Sequence, residues 1–218
     1  GITQSDSKLD QQKLAKIITD LAKRSGITTN NVVAAIPGTS VFNATIKLPP
    51  MTKEELSKAI KYQAEQNIPL KIDEVKYDWR VIKEDPATKE ITVMIIAATK
   101  SKVNQIIDLL RFANLNVIAL ETSTVAMARS LAKPEIPLAM ILDIGATTTE
   151  IAVIENGTLV QTRSFPLAGY ALTRAISQQL GLDMAQAEQF KQRFGLSQDK
   201  LEGQVYKAIE PLLRNILD

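Results

Sequence analysis

Ile141-Leu-Asp-Ile-Gly-Ala-Thr-Thr-Thr-Glu150 is the stretch that decides how this chain is read. A carboxylate ends an apolar run of strand length. A glycine, three hydroxyls and the start of a second strand follow. Gly145 lets backbone approach a ligand closely. A tight turn here lines up successive N–H groups as an anion-binding concavity, and the threonines add hydroxyl donors. Asp143 lies beside that concavity, where a carboxylate holds a hydrated Mg²⁺ that bridges phosphate oxygens. The candidates for phosphate contact are Asp143, Gly145, Thr147, Thr148 and Thr149. The same residues also read as a plain Gly-Thr hairpin with Asp143 bonded to turn amides. Both readings stay open on the motif alone. No Gly-Lys-Ser/Thr follows, so it is not a Walker loop, and a strand rather than a helix follows, so it is not a dinucleotide fingerprint.

Downstream, Glu150 to Ile154 and Thr158 to Phe165 read as strands. Asn156-Gly157 between them marks a tight hairpin, because both central positions of a type I′ turn need positive φ. Helices are expected over Leu172 to Leu180 and Met184 to Phe194, each ended by a glycine, and over Lys200 to Leu217 with a kink at Pro211. Glu188 and Lys191 stand three residues apart and share a helix face. Taken by themselves they read as a surface ion pair, which contributes only tenths of a kcal/mol, about 0.2–0.5.

Upstream, Leu9 to Ala22 has helical spacing and Gly26 sits where a C-terminal cap belongs. Asn31 to Ile36 is a buried strand stopped by Pro37-Gly38, and Phe42 to Leu48 alternates as a half-buried one. Thr52-Lys-Glu-Glu55 is a capping box that opens a helix ending before Pro69. Val75 to Ile82 and Ile91 to Ala98 are strands around a polar hairpin loop, followed by a helix through Leu110 and a strand from Leu115 to Leu120. The order βαββαβ from Phe42 to Leu120 predicts one small α+β unit, with both helices on one face of its sheet. Tyr77 and Trp79 share a strand face and read as core. Glu121 to Leu131 returns to helix, and Pro134 with Pro137 marks a seam.

Composition narrows the chemistry. Of 218 residues, none is cysteine and none histidine, which removes disulfides, thiolate sites, histidine bases and nearly every transition-metal site. Carboxylates, hydroxyls, lysines, backbone amides and a hard cation remain. A net charge of +2 implies no broad attraction for nucleic acid. No apolar run reaches the ~18 residues of a membrane span. Gly1 to Asp10 does not read as a secretion signal. The expectation is a cytoplasmic protein without a membrane span of its own.

With these elements in view, the chain resembles the PilM family of type IV pilus assembly proteins, within the FtsA-like group of actin-like proteins. The resemblance rests on Val32-Val-Ala-Ala-Ile-Pro-Gly38, Leu48-Pro-Pro-Met-Thr-Lys-Glu-Glu-Leu56 and Ala59-Ile-Lys-Tyr-Gln-Ala-Glu-Gln-Asn-Ile-Pro69. It continues through Ile72-Asp-Glu-Val-Lys-Tyr-Asp-Trp79, the Asp143 turn, Gly169 with Leu172-Thr173, and Ala187 to Gly195. The stretch from Leu48 to Trp79 separates this family from FtsA, MreB and sugar kinases. The resemblance implies an α/β fold of incomplete actin-like (RNase H-like) lobes with an α+β FtsA-type insert. Residues 1–48 and 119–137 would be first lobe, 49–118 the inserted subdomain, and 138–218 part of the second lobe.

The same resemblance implies the function. Asp143 to Thr149 would match the second phosphate loop, and Glu188 and Lys191 the element touching adenosine and ribose. ATP and Mg²⁺ are the implied cofactors, with Mg²⁺ held at Asp143 through water. The implied partner is the cytoplasmic N-terminal tail of PilN, docked beside the inserted subdomain, along with other inner-membrane pilus machinery. The first phosphate loop of actin-like proteins and their glycine-rich adenosine loop have no counterpart here. The expectation is therefore an internal fragment that holds nucleotide weakly if at all. Ala126 falls near the place of actin's water-orienting glutamine, which makes a scaffold the leading reading and an active ATPase the alternative. A second alternative is the actin-like cytoplasmic part of a type II secretion component of the GspL kind. The blandest is an ordinary α/β domain with a polar hairpin.

Overall fold

The computed structural model describes residues 7–133 and 135–217. In order they form α1 (Lys8–Arg24), β1 (Asn31–Ile36), β2 (Val41–Leu48), α2 (Lys53–Asn67), β3 (Val75–Glu84), β4 (Ile91–Thr99), α3 (Lys100–Phe112), β5 (Asn116–Thr122) and α4 (Ser123–Leu131). Then come β6 (Leu138–Ile144), β7 (Thr149–Glu155), β8 (Thr158–Phe165), α5 (Gly169–Leu180), α6 (Met184–Phe194) and α7 (Gln204–Leu217). Pro134, one residue of the expected seam, lies outside the described residues. The chain divides into two compact units, residues 1–139 with 153–161 and residues 140–152 with 162–218.

In the first unit β4 is the central strand of an antiparallel sheet ordered β2-β4-β3. Its sequence is apolar at nearly every position, the mark of a strand covered on both faces. On one face Val93, Ile95 and Ala97 pack with Leu56, Ile60 and Ala64 of α2, and Tyr77 and Trp79 join the rim of that core. The Thr52 capping box is formed: Glu55 N–H donates to Thr52 Oγ1 at 3.3 Å, and Thr52 N–H to Glu55 Oε2 at 2.8 Å. The β3–β4 register slips between Val81 and Lys83, so a bulge takes up one residue, Ile82.

Two expectations are corrected. Helix α3 does not share the α2 face. Its Val103 packs with Ile36 of β1 and Ala98 of β4, with Ile106, Ile107 and Leu120 around them. The α2 face is already filled, so the apolar stripe of α3 is buried on the other side. The strand after α3 does not complete the three-stranded sheet either. β5 pairs in parallel with β1, from Asn31↔Asn116 to Ile36↔Thr122.

A second three-stranded sheet has the order β6-β7-β8. Asn156 (φ 49°) and Gly157 (φ 75°) make the expected turn between β7 and β8. In the second unit, Leu172 and Ile176 of α5, Ala187 of α6 and Val205, Ala208 and Ile209 of α7 form the core. The expected helix from Lys200 is not continuous, since Leu201 (φ 48°) and Glu202 (φ 53°) leave helical geometry and α7 starts afresh at Gln204.

Candidate functional site

The β6–β7 turn is tied to the start of α5 by the backbone. Gly145 N–H donates to Thr148 O at 2.9 Å, which closes the turn. Gly169 N–H then donates to Gly145 O at 3.0 Å, and Tyr170 N–H to Ala146 O at 2.7 Å. The approach is close at both glycines. A Cβ on Gly145 would stand 3.1 Å from Thr148 O, and one on Gly169 only 3.2 Å from Gly145 O.

The predicted residues fall into three groups. Asp143 is exposed at the strand end, Thr147 is exposed and Thr148 half-buried in the turn. Thr149 is different: it is fully buried and its hydroxyl donates to Leu167 O at 2.5 Å. The expectation that all three threonine hydroxyls face a ligand is corrected there, because this one is consumed by the fold. Glu188 and Lys191 are more than a surface ion pair, although the Glu188 side chain is two-fifths exposed. Lys191 Nζ donates to Glu188 Oε2 (2.7 Å), Thr173 Oγ1 (2.9 Å) and Gly169 O (3.1 Å). Thr173 Oγ1 lies 2.5 Å from the same carboxylate oxygen. The hydrogen bonds from Lys191 and Thr173 hold the Glu188 carboxyl down at about 2.

Helix α6 is thereby connected through Gly169 to the turn that follows Asp143. Among the described residues no three potential metal ligands cluster together. A cation held at Asp143 through water suits Mg²⁺, an ion that keeps its waters and takes phosphate oxygens as its other ligands. A Cβ on either glycine would press on a carbonyl oxygen of the turn, so the glycines serve the close approach of α5 to it, and the exposed Asp143 with the hydroxyls of Thr147 and Thr148 is the donor set that fits such a group. Thr173 was missed from sequence as a site residue, although its spacing of four from Gly169 puts its hydroxyl over that carbonyl, 2.9 Å away.

A second feature lies within the first unit, on the face of the β2-β4-β3 sheet opposite α2. It is a groove of about 750 Å³. Met94, Ile96 and Ala98 of β4 form its floor, and Val125 and Ala128 of α4 stand across it. Charged residues line the rim: Lys76, Asp78 and Arg80 from β3, and Glu121 with Arg129. Arg129 holds Glu121 in a two-pronged pair at 2.5 and 2.7 Å. None of these was read from sequence as a binding residue, although Lys76 and Asp78 belong to the Ile72 to Trp79 stretch that carries the resemblance. The available signal was β4 itself, whose apolar residues occupy both parities when α2 covers only one.

No helix among the described residues is long and apolar enough to cross a membrane. The chain matches the family model described as type IV pilus assembly protein PilM over residues 1–214. It superposes on the PilM-PilN type IV pilus biogenesis complex with a TM-score of 0.78 at 26% identity, over 95% of this chain and 61% of that one. It is 31% identical over 109 residues to cell division protein FtsA of Bacillus subtilis (strain 168), 49% of this chain and 24% of FtsA. The cytoplasmic domain of EpsL, from the type II secretion system of Vibrio cholerae, shares the fold at 14% identity and a TM-score of 0.53, over 76% of this chain and 60% of that one. The chain spans less than two thirds of each of these relatives. Its actin-like α/β fold, its FtsA-like kinship and a family match over nearly its whole length place it in the family of type IV pilus assembly proteins PilM.

Proposed function

We propose that this chain is the part of a pilus-assembly scaffold that docks the cytoplasmic N-terminal tail of PilN on its first unit, and that a turn of its second unit contributes to an ATP and Mg²⁺ site in the full-length protein. The observation that carries the docking reading is the groove. It is apolar along its floor and charged at its rim, and its volume lies within the ~300–1,000 Å³ of ordinary ligand sites. In this reading residues 49–118, joined by β2 through its pairing with β4, form the inserted subdomain, residues 1–48 and 119–137 the first lobe and 138–218 part of the second. Other inner-membrane machinery is reached through the same partner. The protein stays cytoplasmic and peripheral to the inner membrane.

On the nucleotide side, Asp143, Gly145, Thr147 and Thr148 face phosphates, the buried Thr149 supports the turn, and Glu188 and Lys191 lie toward the adenosine. Bound Mg²⁺ supplies charge neutralisation of phosphate oxygens. The protein's own residues position the turn through Gly169.

The test is calorimetric titration of the chain with a synthetic PilN tail peptide. The wild type binds, and Val125→Arg, which places a charge across the groove, weakens binding by at least about tenfold, equivalent to ~1.4 kcal/mol. Peptide binding that is absent, or that is indifferent to Val125→Arg, sinks the docking reading.

A further inference from the structure

We infer that Thr173 is a positioning residue of the nucleotide site, whose hydroxyl fixes where the Glu188–Lys191 pair stands relative to the phosphate turn, an inference that rests on the nucleotide reading and adds a residue to it. Glu188 and Lys191 lie three apart on α6, so their pairing is made within one helix. Such a pair carries no information about α5. With its side chains 40% and 21% exposed, it could turn toward water as a unit and remain paired.

Two groups of α5 hold it instead, Gly169 O and the Thr173 hydroxyl. Lys191 Nζ donates to both, at 3.1 and 2.9 Å, and to Glu188 Oε2 at 2.7 Å. An ammonium has three N–H donors, so every one of them is placed. The Thr173 hydroxyl has a single proton and two acceptors in reach, Glu188 Oε2 at 2.5 Å and Gly169 O at 2.9 Å. The nearer acceptor is charged and takes the stronger bond. Ammonium, carboxylate and hydroxyl thus close a triangle. Its Thr173 corner is 2% exposed and adjoins the core residue Leu172.

That corner matters because Gly169 belongs to both halves of the site. Its N–H donates to Gly145 O at 3.0 Å, and its carbonyl accepts from Lys191. In the nucleotide reading the turn meets phosphates and α6 meets the adenosine, so the two must stand one nucleotide apart. Thr173 holds that separation. Replacing its hydroxyl by a methyl group of similar shape costs the fold little, since Lys191 and Glu188 are exposed enough to find water in its stead. The pair is then free to leave its place, and binding has to order it again.

Titrations of the full-length protein with ATP·Mg²⁺ test this in a double-mutant cycle with Lys191→Ala. Thr173→Val should weaken binding about tenfold with little change in melting temperature. Thr173→Ser, which keeps the hydroxyl, should stay within about threefold of the wild type. In the Lys191→Ala background Thr173→Val should shift affinity by under about threefold, because the hydroxyl acts through the pair that Lys191 closes. Unchanged affinity in Thr173→Val overturns the proposal. A loss that adds in full to that of Lys191→Ala, or that serine does not restore, also overturns it. Should the valine variant not fold, Thr173→Ala replaces it in the same cycle. Absence of ATP·Mg²⁺ binding by the wild-type protein overturns the nucleotide reading itself, and this inference with it.

Discussion

The Lys191 ammonium serves three acceptors on two helices, and one of them, Gly169 O, belongs to the residue whose N–H holds Gly145. A ligand that drew Lys191 or Glu188 to itself would therefore act on the β6–β7 turn through a single glycine. The Glu188 carboxyl titrates at about 2 in the folded chain against 4.5 for the free group. Its contribution to stability is present in full above pH 4.5 and is lost as pH falls from there to about 2. Glu188→Gln should cost under about 1 kcal/mol at neutral pH, because the side chain is two-fifths exposed and the pair is screened. Urea denaturation at a series of pH values should show wild type and variant converging below pH 4.5; a gap that persists at pH 2 assigns the effect to packing. In the full-length protein Asp143→Ala should abolish Mg²⁺-dependent ATP binding with little change in melting temperature, whereas Thr148→Ala should cost about 1.5–3 kcal/mol of binding. A lowered melting temperature with unchanged ATP·Mg²⁺ affinity would instead make Asp143 a structural cap of its turn. The capping box at Thr52 and the positive φ at Asn156 and Gly157 were legible in the sequence, because they depend on neighbours within three residues. The half-buried setting of Glu188 was not, since Thr173 and Gly169 come from another helix.

Among the elements, β4 is shared by two surfaces. Its odd-numbered residues Val93, Ile95 and Ala97 belong to the α2 core, and its even-numbered residues Met94, Ile96 and Ala98 are the groove floor. Ile60 of α2 is fully buried against the first set. Ile60→Ala should destabilise by about 2–5 kcal/mol, as large-to-small changes in a packed core do. Tail-peptide affinity should stay within about threefold, because the change falls on the far face. Chemical denaturation and calorimetry on the same sample measure both, and a parallel loss of affinity would mean that the two faces are coupled through the strand. The periodicity of α3 gave its apolar stripe correctly but not its partner. Val103 could have met either face, and what decided was that Leu56, Ile60 and Ala64 had already occupied one. The parallel pairing of β5 with β1 was hidden for a related reason. The two segments are about 85 residues apart in sequence, and nothing local ties them.

For the molecule as a whole, the family was legible because the stretch from Leu48 to Trp79 joins a capping box, an amphipathic helix and an alternating strand in one continuous run. The groove was not, since Ile96, Val125 and the β3 edge come together only after the chain has folded back. The period of two along β4 then governs which changes in chain length the protein can accept. The loop from Asp85 to Glu90 is polar and exposed, so it can gain or lose residues while the strands on either side keep their pairing. The bulge at Ile82 already takes up one such residue on β3. Inside β4 there is no such slack. Deleting one residue there would turn Ile95 into the groove and Ile96 into the α2 core, exchanging the two surfaces at once. The hairpin can thus be lengthened or shortened, while the length of the central strand is fixed by the two surfaces it serves.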